Sequence, residues 1–202
     1  MSEQPRVLAV CGSRREGSYT RSALHYAADA AADAGAETDY LDLGDPTVDM
    51  PLYHPDHDAA ETGDVAAVLE RVRAADAVLL GSPVYHGSYS SAFRSFHDWC
   101  SFDEYEDTVV GLLATAGGGT YSSTLDHMRV TVRGVHGWVM PHQVGIRNAS
   151  SKFTDRTEPG DGIGGDADHA FTDERLRDRT EKLGRRAAHY AAEKEPFFDA
   201  PD

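Results

Sequence analysis

The sequence predicts an α/β fold: a five-stranded, doubly wound parallel sheet between two layers of helices. Three observations carry that prediction. Apolar runs that read as strands alternate with amphipathic helical stretches along the chain. Two of the runs, DAVLLGS (76–82) and TVVGLLAT (108–115), are almost continuously apolar, as strands buried on both faces are. The stretches that follow three of the strands are rich in Gly and Ser, which suits loops that bind a ligand outside the carboxyl ends of a parallel sheet.

Taken in order, residues 7–11 (VLAVC) read as a buried strand. Ser18 or Thr20 can cap a helix running to about residue 34. Leu24, Ala27, Ala28, Ala31 and Ala34 form its apolar stripe, and Gly35 its stop. Residues 37–43 alternate as a second strand, and 44–62 form a polar loop with three prolines. A helix over 64–74 leads into the strand 76–82 and the loop 83–88. A helix over 89–100 follows, with Phe93, Phe96 and Trp99 at helical spacing as core or as a dimer face. The strand 108–115, the loop 116–119, a helix over 122–135 and a strand over 138–144 complete the sheet. Residues 147–170 show no periodicity and are rich in Gly, Asp and Ser. That is long for a connection, so the stretch is either mobile or covers something. Thr172 then caps a last helix that turns Leu176, Leu183, Ala187 and Tyr190 toward the sheet.

A length of 202 residues suits one domain with a core of its own. The net charge of -15 argues against binding nucleic acid or an anionic membrane over the general surface. No apolar run approaches the roughly 20 residues a membrane helix needs. Cys11 and Cys100 form no C-x-x-C and no secretory leader precedes them, which points to a reduced, cytoplasmic setting. Lysine is scarce while arginine and aspartate are plentiful. This favours a salt-rich cytoplasm, where a Debye length of roughly 3 Å at molar salt screens self-repulsion.

Against that acidic background, GSRREGS (12–18) stands out between the first strand and its helix. It fits neither G-x-G-x-x-G nor the lysine-containing triphosphate loop. Backbone N–H groups, the hydroxyls of Ser13, Ser18 and Thr20, a guanidinium and the positive end of a helix can converge there on one terminal phosphate. Other patterns are weaker. His54 and His57 sit in a polar loop, where H-x-x-H is usually solvated. Ser88, His97 and Asp98 lack the G-x-S-x-G elbow of a hydrolase, and Asn148-Ala149-Ser150 is a sequon that matters only outside the cytoplasm. No metal site is expected.

With SPVYHGSYSSAFRSFHDW (82–99), TAGGG (115–119) and the later Leu125 and Arg129, GSRREGS makes the chain resemble the NADPH-dependent FMN reductase family of flavodoxin-like proteins. The resemblance spans about residues 6–144. It implies a flavodoxin-like three-layer sandwich with FMN lying across three loops. Ser13, Arg15 and Ser18 would hold the phosphate, with Tyr19 and Thr20 alongside. Pro83, Val84, Tyr85, His86, Gly87 and Ser88 would line the isoalloxazine, and Thr115, Ala116, Gly117 and Gly118 its other edge. Val84 stands where the family commonly has glutamate, and His86 where it has asparagine.

NADPH or NADH would be the electron donor and a small molecule such as a flavin or quinone the acceptor. No catalytic side chain is expected, because a flavin carries the chemistry itself. The family also implies a homodimer, in which 147–170 would reach the partner's site. The alternatives are an FMN electron carrier that takes electrons from a partner protein, and a domain that has lost flavin and serves only for interaction.

Overall fold

The computed structural model describes residues 4–156 and 162–193. Parallel strands need helical crossovers, and the right-handed crossover rule winds them outward on both sides of the first strand. The result is one sheet in the order β2-β1-β3-β4-β5, from β1 (Arg6–Cys11), β2 (Glu37–Asp42), β3 (Ala77–Pro83), β4 (Val109–Thr115) and β5 (Trp138–Ile146). β3 and β4 are buried at every position, whereas edge strand β2 is half exposed. β5, the other edge, runs two residues beyond its expected end. It tolerates Pro141, whose missing N–H no neighbouring strand requires.

Two apolar layers clamp the sheet. On one face α1 (Tyr19–Asp33) and α6 (Glu174–Ala192) pack side by side over Val7, Ala9, Leu79 and Leu113. Their contact is so close that a Cβ on Gly184 would overlap the Ala27 carbonyl. On the other face α2 (Val65–Arg73), α3 (Ser91–Trp99) and α5 (Ser122–Gly134) cover Leu8, Val10, Val78, Leu80 and Leu112. Phe93, Phe96 and Trp99 are core residues of this layer.

Of the two caps expected for α1, Ser18 is the one used, accepting from the Arg21 N–H, because Thr20 is already inside the first turn. Other local expectations change. Asp173, not Thr172, caps α6, since the Thr172 hydroxyl reaches back to the Ser151 carbonyl instead. A one-turn helix, α4 (Phe102–Tyr105), lies between α3 and β4 and is closed by a Ser101–Glu104 capping box. Glu104 is buried against Arg73 of α2.

The aperiodic stretch also contains structure. β6 (Phe153–Asp155) and β7 (His169–Phe171) form an antiparallel ribbon over the start of α1, while part of the stretch, 157–161, lies outside the described residues. Phe153 stacks on Tyr19 (5.1 Å), and Phe171 meets Tyr26 edge-on. Asp29 accepts from the Gly164 N–H (2.6 Å). Among the described residues, no helix is long and apolar enough to cross a membrane.

Candidate functional site

Parallel register brings Cys11, Gly81, Pro83, Thr115 and Ile146 to one edge of the sheet, so the loops after β1, β3, β4 and β5 share it. Each loop is bonded to the next. Gly12 donates its N–H to the Gly81 carbonyl (2.8 Å), a closeness only glycine allows, since a Cβ there would stand 2.8 Å from Phe93 Cβ. Val84 donates to the Thr115 carbonyl, Ala116 to Ile146, and Ala149 back to Ala116, at 2.7–3.0 Å. Ser90, the cap of α3, binds the first two loops together: its hydroxyl donates to the Gly12 carbonyl and its N–H to Ser82 Oγ. Such bonding holds loops in one geometry before any ligand arrives.

A cavity of about 400 Å³ opens between these loops. It is lined by Ser13, Arg15, Ser18, Tyr19 and Thr20 from the first loop and α1, by Pro83, Val84 and Tyr85 from the second, and by Thr115, Ala116 and Gly117 from the third. Ala149 and Ser150, which sequence reasoning missed, close it from beyond β5. These two belong to the same chain as the rest of the wall, within the segment expected to reach a partner. Gly118 lies beside the cavity, with open space where its Cβ would be.

His86, Gly87 and Ser88 do not line it. Tyr85 and Ser88 exchange both backbone bonds across a two-residue turn in which His86 (φ 52°) and Gly87 (φ 78°) are left-handed. The turn leans on α5, where Ser123 donates to the Gly87 carbonyl and His127 Nδ1 lies 3.0 Å from Ser88 Oγ. Histidine and asparagine are among the side chains that tolerate a positive φ, which is the physical sense of His86 at that position. Ser88 and His97 are not partners: His97 is buried against the Tyr105 hydroxyl, and burial holds it below the ordinary imidazole range.

The donor set at the first loop suits an anion. Ser13 and Ser18 are buried. Each hydroxyl accepts one backbone N–H, from Arg15 and Arg21, and spends its own proton on no acceptor among the described residues. The N–H groups of Tyr19 and Thr20, in the first turn of α1, have no intrahelical acceptor. Thr20 and Thr115 join their hydroxyls at 2.5 Å, tying the first loop to the third. Arg15 reaches this cavity, whereas Arg14 lines a separate hollow beside Met50 and Leu52. Cys11, at the end of β1, is no nucleophile: burial, helped by Asp42, pushes its thiol up to about 12.

His169 is a second residue missed in the sequence. From β7 its Nε2 lies 2.9 Å from the Gly17 carbonyl oxygen and its Nδ1 3.0 Å from Asp155 Oδ1. The ring also packs against Tyr19 (4.7 Å). The ribbon thereby braces the anion loop from outside. A lone histidine in a Gly- and Asp-rich stretch carried no signal of this.

Residues 5–151 match the family model described as NADPH-dependent FMN reductase. The chain belongs to that family. Similar members include the FMN-dependent NADPH-azoreductase of Staphylococcus haemolyticus, 32% identical over 74% of this chain and 81% of that protein. That of Staphylococcus saprophyticus is 28% identical over 73% and 80%. Among solved structures, the flavoenzyme NAD(P)H:(acceptor) oxidoreductase FerB of Paracoccus denitrificans superposes with a TM-score of 0.70 at 16% identity, over 94% of this chain and 98% of that one. An NADH:FMN oxidoreductase in its apo form gives 0.63 at 17% identity, over 94% and 89%. These likenesses show the flavodoxin-like fold.

The residues of this FMN reductase family member fit FMN on the structure's own terms. The unspent hydroxyl protons and free helix N–H groups match a phosphate. The open space beside Gly117 and Gly118 leaves their backbone accessible to a flat ring.

Proposed function

We propose that the cavity across the ends of β1, β3 and β4 seats FMN, and that the protein passes electrons from NADPH or NADH to a small acceptor. The observation that carries this reading is the convergence, in one cavity, of an unspent anion-binding set and two further loops bonded to it. FMN, when bound, supplies the redox chemistry, taking hydride from the nicotinamide and releasing electrons onward. The chain's own residues bind and orient. Ser13, Ser18, Arg15 and the first turn of α1 hold the phosphate, and charge-assisted bonds of this kind are worth about 1.5–3 kcal/mol each. Pro83, Val84 and Tyr85 form one wall for the ring and Thr115, Ala116 and Gly117 the other, and the bond from the Val84 N–H to the Thr115 carbonyl joins the two.

Family membership and the azoreductase relatives favour an enzyme over an FMN carrier served by a protein partner. Azo compounds, quinones and free flavins are the acceptor classes we favour. A homodimer in a salt-rich cytoplasm is the setting that suits the family and the charge. Anaerobic titration of the FMN-loaded protein with each nicotinamide tests the central reading: bleaching of the flavin absorbance without any partner protein supports a reductase. Bleaching that appears only after a protein donor is added would make it a carrier.

A further inference from the structure

The loop after β5 is built with unusual care for a stretch with no periodicity. Asn148 takes a left-handed backbone (φ 51°), which asparagine tolerates. Ala149 is buried and donates its N–H to the Ala116 carbonyl (3.0 Å). Ser151 and Lys152 donate theirs to the carbonyls of Asn148 and Ala149, at 2.9 Å each. On the far side the loop is tied to the cap of α6. The Thr172 N–H bonds to the Lys152 carbonyl (2.9 Å), and Lys152 Nζ holds Asp173 (2.8 Å). Phe153, three residues past Ser150, stacks on Tyr19 in the first turn of α1. Ser150 is thus carried across the gap between the third loop and the start of α1.

Within this run Ser150 alone lines the cavity with its polar groups unspent. The hydroxyl of its neighbour Ser151 is used on the Asn148 carbonyl (2.9 Å). The Ser150 N–H and hydroxyl meet no partner among the described residues, and the side chain is exposed. The other hydroxyls of the cavity sort by the same measure. Thr20 and Thr115 are spent on each other, whereas Ser13 and Ser18 keep their protons. No carboxylate lines the cavity, although the chain carries 34 acidic residues. An anion placed between Ser150 and the first loop therefore meets donors and Arg15, and no like charge.

We propose that Ser150 is a third serine ligand of the FMN phosphate, an inference that rests on the FMN reading above. The phosphate would then be clamped from two sides, by the loop after β1 and by the loop after β5. A terminal phosphate offers three strong acceptor oxygens, more than Ser13 and Ser18 engage. A bond to a charged oxygen is roughly twice as strong as one to a neutral oxygen, which favours the phosphate over the ribityl hydroxyls as the partner of Ser150.

The test is a fluorescence titration of the flavin-free protein with FMN, joined to phosphorus NMR of the bound cofactor. Ser150→Ala should weaken FMN binding at least about fivefold and move the phosphorus resonance. Ser150→Thr, which keeps the hydroxyl, should stay within roughly twofold of the unaltered protein. Ser150→Asp sets a carboxylate against the dianion and should weaken binding at least about tenfold, less so at high salt. Affinity unchanged in both the Ala and Asp variants overturns the proposal and leaves the FMN reading standing. A loss in Ser150→Ala that leaves the phosphorus resonance in place and shifts the flavin absorbance also overturns it, because the contact is then to the ring. Failure of the unaltered protein to bind FMN at all would remove the FMN reading itself.

Discussion

Arg15 and Arg14 are neighbours in sequence and part company in space. Only Arg15 faces the cofactor cavity, because the chain turns between them toward the cap of α1. Loss of one charge-assisted phosphate contact costs about 1.5–3 kcal/mol. Arg15→Ala should therefore weaken FMN binding at least about tenfold in a fluorescence titration. Arg14→Ala should leave it within roughly twofold; equal losses in the two variants would remove the distinction. Ser90 shows the other kind of residue, one that touches no predicted ligand but joins two loops by its hydroxyl and its N–H. It lay in the segment that resembles the family, yet its role depends on Gly12, which is 78 residues away.

At the level of elements, the four main crossover helices, the C-terminal helix α6 and the sheet were legible because hydrophobic period and buried runs are local signals. The one-turn helix α4 is too short for a period, although its S-x-x-E cap was there to be read. The β6–β7 ribbon was not legible, since three-residue strands have no pattern and their pairing spans an irregular segment. Its place against α1 makes it a brace for the anion loop through His169 and Gly17. His169→Ala should lower FMN affinity several-fold and cost about 1–3 kcal/mol of stability, as loss of a buried hydrogen-bonded group does. A variant whose melting temperature falls while FMN affinity holds would make the ribbon structural only.

For the whole molecule, charge and buried or half-buried histidines set the response to solution conditions. His25, His97 and His142 are each held below the ordinary imidazole range, with burial the first cause. Their folded values lie below the unfolded one, so the unfolded chain binds more protons as pH falls through about 6.5. Stability is thus full above that pH and declines until the pH is below the folded values. Urea unfolding between pH 7.5 and 5 should show this loss, and His97→Phe should reduce its slope. With 34 acidic against 19 basic residues, self-repulsion is the dominant long-range term. The melting temperature should rise between low and molar KCl; a flat profile would argue against adaptation to a salt-rich setting.

By itself the sequence determined the layer order, the alternation of strand and helix and the position of the anion loop, together with the family to which the motifs belong. These depend on spacing within a dozen residues, where period, capping and Gly-rich turns act directly on the backbone. Only the tertiary structure decided which residues of those motifs share a cavity. It set His86, Gly87 and Ser88 aside in a turn held by α5 and added Ala149 and Ser150. Those groupings join residues tens of positions apart, and they arise from parallel register and helix packing, which leave no periodic trace in the chain.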